Sequence, residues 1–142
     1  MEERIIGVRD MDEASARFVR SCTPGALATV VTLSGGLGAG KTTFVQGIAR
    51  ALGIEESVTS PTFVIMKIYD LENQVFEKLI HMDAYRLKGA HHLKVLGWDE
   101  LLQNPKHLIC VEWPEKIEGA IPKDAIQVTL SYSDNARTLK YN

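Results

Sequence analysis

Gly35-Gly36-Leu37-Gly38-Ala39-Gly40-Lys41-Thr42 is the stretch on which the reading of this 142-residue chain turns. It matches G-x-x-x-x-G-K-[ST], and each position has a mechanical reason. Small residues let successive backbone N–H groups turn inward and cradle phosphate oxygens. A helix leaving such a loop points its positive dipole end at the same anion. Lys41 offers a point charge to β- and γ-phosphates, and the Thr42 hydroxyl is a ligand for Mg²⁺. The flanks supply the required context. Leu27 to Leu33 is β-branched and almost wholly apolar, as a strand buried on both faces should be. Lys41 to Leu52 has helical character and ends at Gly53, a natural left-handed stop. The segment predicts a phosphate-binding loop and nucleotide binding.

A loop of this kind needs an acidic residue to hold Mg²⁺ or its water, usually at the end of a neighbouring apolar strand. Leu108-Ile109-Cys110-Val111-Glu112 fits, with Glu where Asp is more usual. Asp83, just past Leu79-Ile80-His81-Met82, is the second candidate. Thr59-Ser60-Pro61-Thr62 lies where nucleotide switches hold a hydroxyl that senses γ-phosphate and metal. As bare sequence it reads equally well as a Ser-Pro turn.

Further out, residues 4–8 read as a short strand, and Asp10 or Asp12 as the cap of a helix running to Ser21. Phe63 to Tyr69 and Val75 to Met82 flank Leu71-Glu72-Asn73-Gln74 as an antiparallel hairpin. Residues 91–102 suggest one or two short helices broken near Gly97. Ile126 to Leu130 and Thr138 to Tyr141, around Ser133-Asp134-Asn135, read as a second hairpin. The expected class is α/β: a P-loop NTPase-like mixed β-sheet flanked by helices, with antiparallel hairpins. The length fits one domain, residues 1–142.

Composition narrows the function. With 45% apolar and 24% charged residues, disordered, collagen-like and coiled-coil readings are excluded. Sixteen Lys and Arg against eighteen Asp and Glu, with no basic run, argue against a domain that grips nucleic acid alone. No apolar run approaches the ~20 residues of a bilayer span. Met1-Glu2-Glu3-Arg4 lacks the apolar stretch of a signal peptide. Two cysteines make no disulfide framework. A cytoplasmic location is expected. Cys110 reads as a small buried side chain, His81 as a packed or hydrogen-bonded strand residue, and Trp98 as core or partner contact. The adjacent His91 and His92 project about 100° apart on a helix and do not chelate one metal.

Taken together, Leu37-Gly38-Ala39-Gly40-Lys41-Thr42-Thr43-Phe44, Ser60-Pro61-Thr62-Phe63, His81-Met82-Asp83-Ala84-Tyr85-Arg86-Leu87 and Glu112-Trp113-Pro114-Glu115 resemble the TsaE (YjeE) family. The resemblance runs from the first helix to the end of the chain. It implies a feeble P-loop ATPase, turning ATP to ADP and phosphate, that works with the TsaB–TsaD complex. That system N6-threonylcarbamoylates adenosine 37 of tRNAs reading ANN codons; tRNA would be met indirectly, with no DNA and no membrane. Carried over by position, Gly35, Leu37, Gly38, Ala39, Gly40, Lys41, Thr42 and Thr43 hold the nucleotide. Thr42 and Glu112 hold Mg²⁺, and Asp83 supports the metal or the attacking water. Lys41, Asp83 and Glu112 are thus the implied catalytic set. Ser60 and Thr62 occupy the switch region, Trp113 serves nucleotide or partner contact, and Arg137 lies near the base, with Ser15 joining it from the N-terminal side.

The chain departs from that pattern at Gly36, where Asp or Glu is usual, at Ala84, and at Lys88-Gly89-Ala90-His91-His92, where the family tends to be acidic. The competing classes are a small-molecule kinase, a GTP-dependent module and an ATP-gated structural subunit. Past Arg50 only Arg86 and Arg137 remain, so no arginine-rich lid for a kinase is visible. No N-K-x-D segment exists to read guanine.

Overall fold

The computed structural model describes residues 1–36, 38–59, 61 and 65–141. Among them, seven strands form one sheet. β1 (Glu2–Ile5) is followed by α1 (Gly7–Ser21), β2 (Thr29–Ser34), α2 (Lys41–Ala51), β3 (Met66–Asp70) and β4 (Lys78–Asp83). A 3₁₀ segment Ala90–Lys94, α3 (Trp98–Gln103), β5 (His107–Glu112), a second 3₁₀ segment Pro114–Ala120, β6 (Ile126–Ser133) and β7 (Ala136–Tyr141) complete the order. The strands lie as β1-β7-β6-β2-β5-β4-β3. β6, β2, β5 and β4 are mutually parallel, while β1, β7 and β3 join by antiparallel pairing. The chain therefore has the mixed, helix-flanked α/β sheet that the sequence predicts.

Parallel strands need both faces covered, and their composition shows it. All six residues of β5 are buried, as are four of six in β2. Side chains alternate between the two faces of each strand. Val31, Leu33, Leu79, Leu108 and Cys110 pack with Phe18, Phe44 and Ile48 from α1 and α2. Val30, Ile80, Met82, Ile109 and Val111 pack on the other side with Leu93, Trp98 and Ile117. By the same alternation His81 and Asp83 share the α2 side with Leu79, and Glu112 shares it with Leu108 and Cys110. Fully burying a side chain such as Phe44 stabilises by roughly 1.5–3 kcal/mol. Its edge contact with Phe18, ring centroids 5.3 Å apart, adds about 0.5–1.5 kcal/mol.

The elements depart from the sequence reading at several ends. α1 opens at Gly7, ahead of Asp10, and the Asp10 carboxylate reaches back to accept the Ile6 N–H at 3.0 Å rather than starting the helix. The first strand ends at Ile5 because its partner β7 registers Glu2 to Ile5 against Lys140 to Arg137. Leu27 lies outside β2 and is exposed. The helical break near Gly97 is where expected, with φ +73 at that residue. Trp98 is core, its indole N–H donating to the Ala120 carbonyl at 3.1 Å. Cys110 is buried, and burial pushes its thiol pKa up; Cys22 is buried too, and the same cause pushes it up to about 11. Among the described residues no helix is long and apolar enough to cross a membrane.

Ser15 is placed differently from its expected role near a nucleotide base. It faces the α1–α2 crossing, is fully buried, and its hydroxyl donates to the carbonyls of Met11 at 2.7 Å and Phe44 at 3.1 Å. Gly47 opposes it, so close that an added Cβ would lie 2.7 Å from Ser15 Cβ. Alanine normally gains about 1 kcal/mol over glycine inside a helix. At this crossing the overlap wins, and Gly47→Ala is expected to destabilise by about 1–3 kcal/mol. A thermal melt should show Tm falling, and adding Ser15→Gly should restore most of it.

Candidate functional site

The parallel ladder gathers the carboxyl ends of β2, β4 and β5. Leu33 pairs with Glu112, and Glu112 with Asp83. β2 sits between β5 and β6, with crossovers on both sides, and ligands of open α/β sheets bind outside the strand ends at such a switch point. The loop 35–40 leaves β2 at this edge and feeds α2.

The loop backbone is tight. Gly35, Gly38 and Gly40 have φ of +148, +78 and +105. A Cβ on Gly35 would run into the carbonyl oxygen of Leu130 in β6. One on Gly40 would approach Arg137 Cδ to 3.1 Å and Met11 Cε to 3.1 Å. At Gly35 glycine is required for space as well as conformation; at Gly40 the positive φ favours it, and the flexible ends of Arg137 and Met11 would have to give slightly for any side chain. Gly36 has open space around its Cα, so the acidic residue usual there meets no steric bar in this chain. Leu37 lies outside the described residues. The N–H of Ala39 donates to Gly36 O at 3.2 Å, and that of Phe44 to Gly40 O at 2.8 Å, which starts α2 with Lys41, Thr42 and Thr43 in its first turn.

Lys41 is nearly buried, at 6% exposure. Its ammonium donates to Gly35 O at 2.8 Å and lies 3.6 Å from the centre of the Trp113 ring. Burial pulls its pKa below the usual lysine value, opposed by Glu112, Glu115 and Asp83. Trp113 holds a left-handed backbone, φ +59 and ψ +51, just before Pro114 opens the 3₁₀ segment. A bulky residue in this region costs on the order of 1–3 kcal/mol, and the surroundings must enforce it. Here the reversal turns the indole back over Lys41, where Tyr85 also packs on it at 5.1 Å between centroids.

Thr42 Oγ1 lies 3.2 Å and 3.4 Å from the two carboxylate oxygens of Glu112. Adjacent ligands of an octahedral Mg²⁺, with bonds of about 2.1 Å, stand about 3.0 Å apart. The hydroxyl and the carboxylate therefore fit neighbouring corners of one metal. No group of three or more His, Cys, Asp or Glu side chains among the described residues makes a closed metal cage. Mg²⁺ in phosphate sites is usually held by one or two protein groups plus phosphates and water. Asp83 is buried beside Glu112, and its Oδ1 accepts the Tyr85 N–H at 2.9 Å. His81, fully buried, meets Glu112 Oε2 through Nε2 at 2.6 Å.

Arg137 reaches the loop from the second hairpin. Asp134 and Asn135 have φ of +52 and +61, the signature of a two-residue I′ turn. Tyr132 and Arg137 are cross-strand partners, and the guanidinium carbon lies 5.2 Å from the tyrosine ring centre. Arg137 Nη2 donates to Gly38 O at 3.2 Å. Of the expected residues, Gly35, Gly38, Ala39, Gly40, Lys41, Thr42, Thr43, Asp83, Glu112, Trp113 and Arg137 converge on this edge, while Ser15 does not. Ser60 and Thr62 lie outside the described residues. The sequence reading left the His81–Glu112 pairing unassigned; His-x-Asp on a strand parallel to one ending in Glu is the signal that points to it.

The family model described as "Threonylcarbamoyl adenosine biosynthesis protein TsaE" matches residues 7–139. The chain is 40% identical over 113 residues to the tRNA threonylcarbamoyladenosine biosynthesis protein TsaE of Bacillus subtilis, covering 79% of this chain and 68% of that one. It is 33% identical over 120 residues to the protein of the same name from Borreliella burgdorferi, covering 84% and 85%. The crystal structure of Bacillus subtilis YdiB superposes with a TM-score of 0.79 at 31% identity, over 99% of this chain and 83% of that one.

Because an entering phosphate competes for the ammonium that Trp113 covers, nucleotide addition should change tryptophan fluorescence. Trp113→Phe should abolish the change, whereas Trp98→Phe should leave it. The lowered Lys41 pKa has a second consequence. Nucleotide affinity should fall as pH rises through a range below the ordinary 10.5 of lysine, as the ammonium loses its proton. A binding titration across alkaline pH checks this.

Proposed function

The chain belongs to the TsaE family, and on that premise we propose that it is a partner-dependent ATP-binding and hydrolysing subunit of tRNA threonylcarbamoyladenosine synthesis. It acts with the TsaB–TsaD complex in the cytoplasm, as one domain spanning 1–142, in the N6-threonylcarbamoylation of adenosine 37 in ANN-reading tRNAs. The observation that carries this reading is the Thr42–Glu112 pair beside the loop that holds Lys41, at a separation suited to neighbouring ligands of one Mg²⁺.

The proposed mechanism assigns each residue a task. The backbone N–H groups of residues 35–43 cradle the phosphates, aided by the amino end of α2. Lys41 exchanges Gly35 O and the Trp113 face for β- and γ-phosphate oxygens. Thr42 and Glu112 would hold Mg²⁺, which when bound would neutralise charge on those oxygens. Asp83, fixed through its Tyr85 contact, orients the attacking water. Arg137 and Trp113 border the nucleotide, and Ser60 and Thr62 serve as the switch. Arg137 contacts the loop through the Gly38 carbonyl. A P-loop site that waits for an arginine to stabilise the transition-state charge turns over slowly, and a partner can supply one. Low turnover alone and stimulation by the partner follow.

Phosphate release from ATP should be slow for the protein alone and rise with TsaB–TsaD. Lys41→Ala should weaken ATP binding at least about tenfold, the loss of a charge-assisted contact of about 1.5–3 kcal/mol. Glu112→Gln should leave metal-free binding nearly intact and abolish turnover. Brisk turnover alone, indifferent to the complex, would overturn the partner-dependent reading. Turnover that survives Glu112→Gln would remove this carboxylate from the metal site.

A further inference from the structure

Glu112 is held from two sides. Its Oε2 lies 3.2 Å from Thr42 Oγ1 and 2.6 Å from His81 Nε2, while its Oε1 has only the longer 3.4 Å approach to Thr42. A carboxylate oxygen accepts, so His81 Nε2–H donates on this edge. His81 stands two residues before Asp83 on β4, and its side chain is completely shielded from solvent. Its other ring nitrogen, Nδ1, has no hydrogen-bond partner among the described residues.

A buried imidazole with one nitrogen unpaired is a poor choice for filling space. Leucine or methionine would occupy the position without desolvating a polar atom. What the imidazole supplies is a single short contact to Glu112. Both residues are buried on adjacent parallel strands, each paired on both edges, so their backbones have little freedom to adjust. The terminal torsion of a free glutamate is broad. Anchoring Oε2 fixes that torsion and leaves Oε1, 3.4 Å from Thr42 Oγ1, as the carboxylate oxygen that His81 does not occupy.

We propose that His81 is a positioning residue for the metal-binding carboxylate: it holds Glu112 Oε2 so that Oε1 and Thr42 Oγ1 face the same ion. This rests on Thr42 and Glu112 being the Mg²⁺ site. Groups that orient metal ligands typically change metal affinity 10–100-fold when removed. The same range is expected here, in the factor by which Mg²⁺ tightens ATP binding.

The test is ATP binding by calorimetry in saturating Mg²⁺ and in EDTA, with a thermal melt for each variant. His81→Gln places an amide nitrogen near the position of Nε2, whereas His81→Asn places one near Nδ1. His81→Leu removes the donor altogether. Metal-free affinity should stay within about twofold of the unaltered chain for all three. The Mg²⁺ enhancement should fall about 10–100-fold in His81→Leu and His81→Asn and recover in His81→Gln. Should the leucine variant fail to fold, the Gln–Asn pair carries the same comparison. An enhancement kept by His81→Asn overturns the inference, as does weakening of equal size with and without metal that Gln does not rescue. If the unaltered chain itself shows no Mg²⁺ enhancement, the metal site falls first, and with it the basis for a role of His81.

Discussion

Three parallel strand ends in register set almost everything else in this structure. Pairing of β2 with β5 and of β5 with β4 puts the loop exit, Glu112 and Asp83 in one row. That register is not free to slip. A shift of one residue would turn every side chain of β5 to the opposite face, moving Glu112 into the packing around Trp98 and Ile117 and sending Ile109 and Val111 toward α2. Repacking two filled apolar layers, and burying the Glu112 carboxylate among apolar side chains, is the cost that holds this register and with it the position of a single carboxylate. Core packing and site geometry are thus one constraint.

The loop adds a second. Gly35 passes the β6 backbone so closely that no side chain fits, and Gly40 is enclosed by Arg137 and Met11. The far hairpin and the first helix therefore shape the phosphate cradle, although both are remote in sequence. Lys41 is held ready in this enclosure. Its desolvation, which lowers its pKa, is only partly offset by the acidic groups Glu112, Glu115 and Asp83, and the ammonium also contacts Gly35 O and the Trp113 face. On the proposed reading, a phosphate entering the loop would replace weak neutral partners with an anion, an exchange that a low-dielectric setting favours.

Much of this was legible before any coordinates. The glycine loop between an apolar strand and a helix, the β5 run ending in Glu112, the Gly97 break and the two hairpins all rest on local periodicity and turn chemistry, which operate over a few residues. The resemblance to the TsaE family, carried by the blocks around Ser60, His81 and Glu112, gave the metal and nucleotide assignments a frame. What escaped the sequence reading depends on contacts between distant segments. The resemblance puts Ser15 near a nucleotide base, but a glycine thirty-two positions later opens the helix crossing that buries it. Trp113 looked like a side chain beside the site; its left-handed backbone, which places the ring on Lys41, has no signature in a Glu-Trp-Pro run. His81 reads in the sequence as a packed or hydrogen-bonded strand residue, which it is; that its partner is Glu112 follows only from the β4–β5 register.

The central claim is that Thr42 and Glu112 converge on one Mg²⁺ at the foot of the phosphate loop. It is tested most directly by a crystal structure of the chain with an ATP analogue and Mn²⁺ in place of Mg²⁺, read by anomalous scattering. The account predicts a single metal peak within ligand distance of Thr42 Oγ1, on the side of the Glu112 carboxylate, and touching a phosphate oxygen. A bound nucleotide whose metal lies away from both residues, with Glu112 still turned into the sheet, would contradict it.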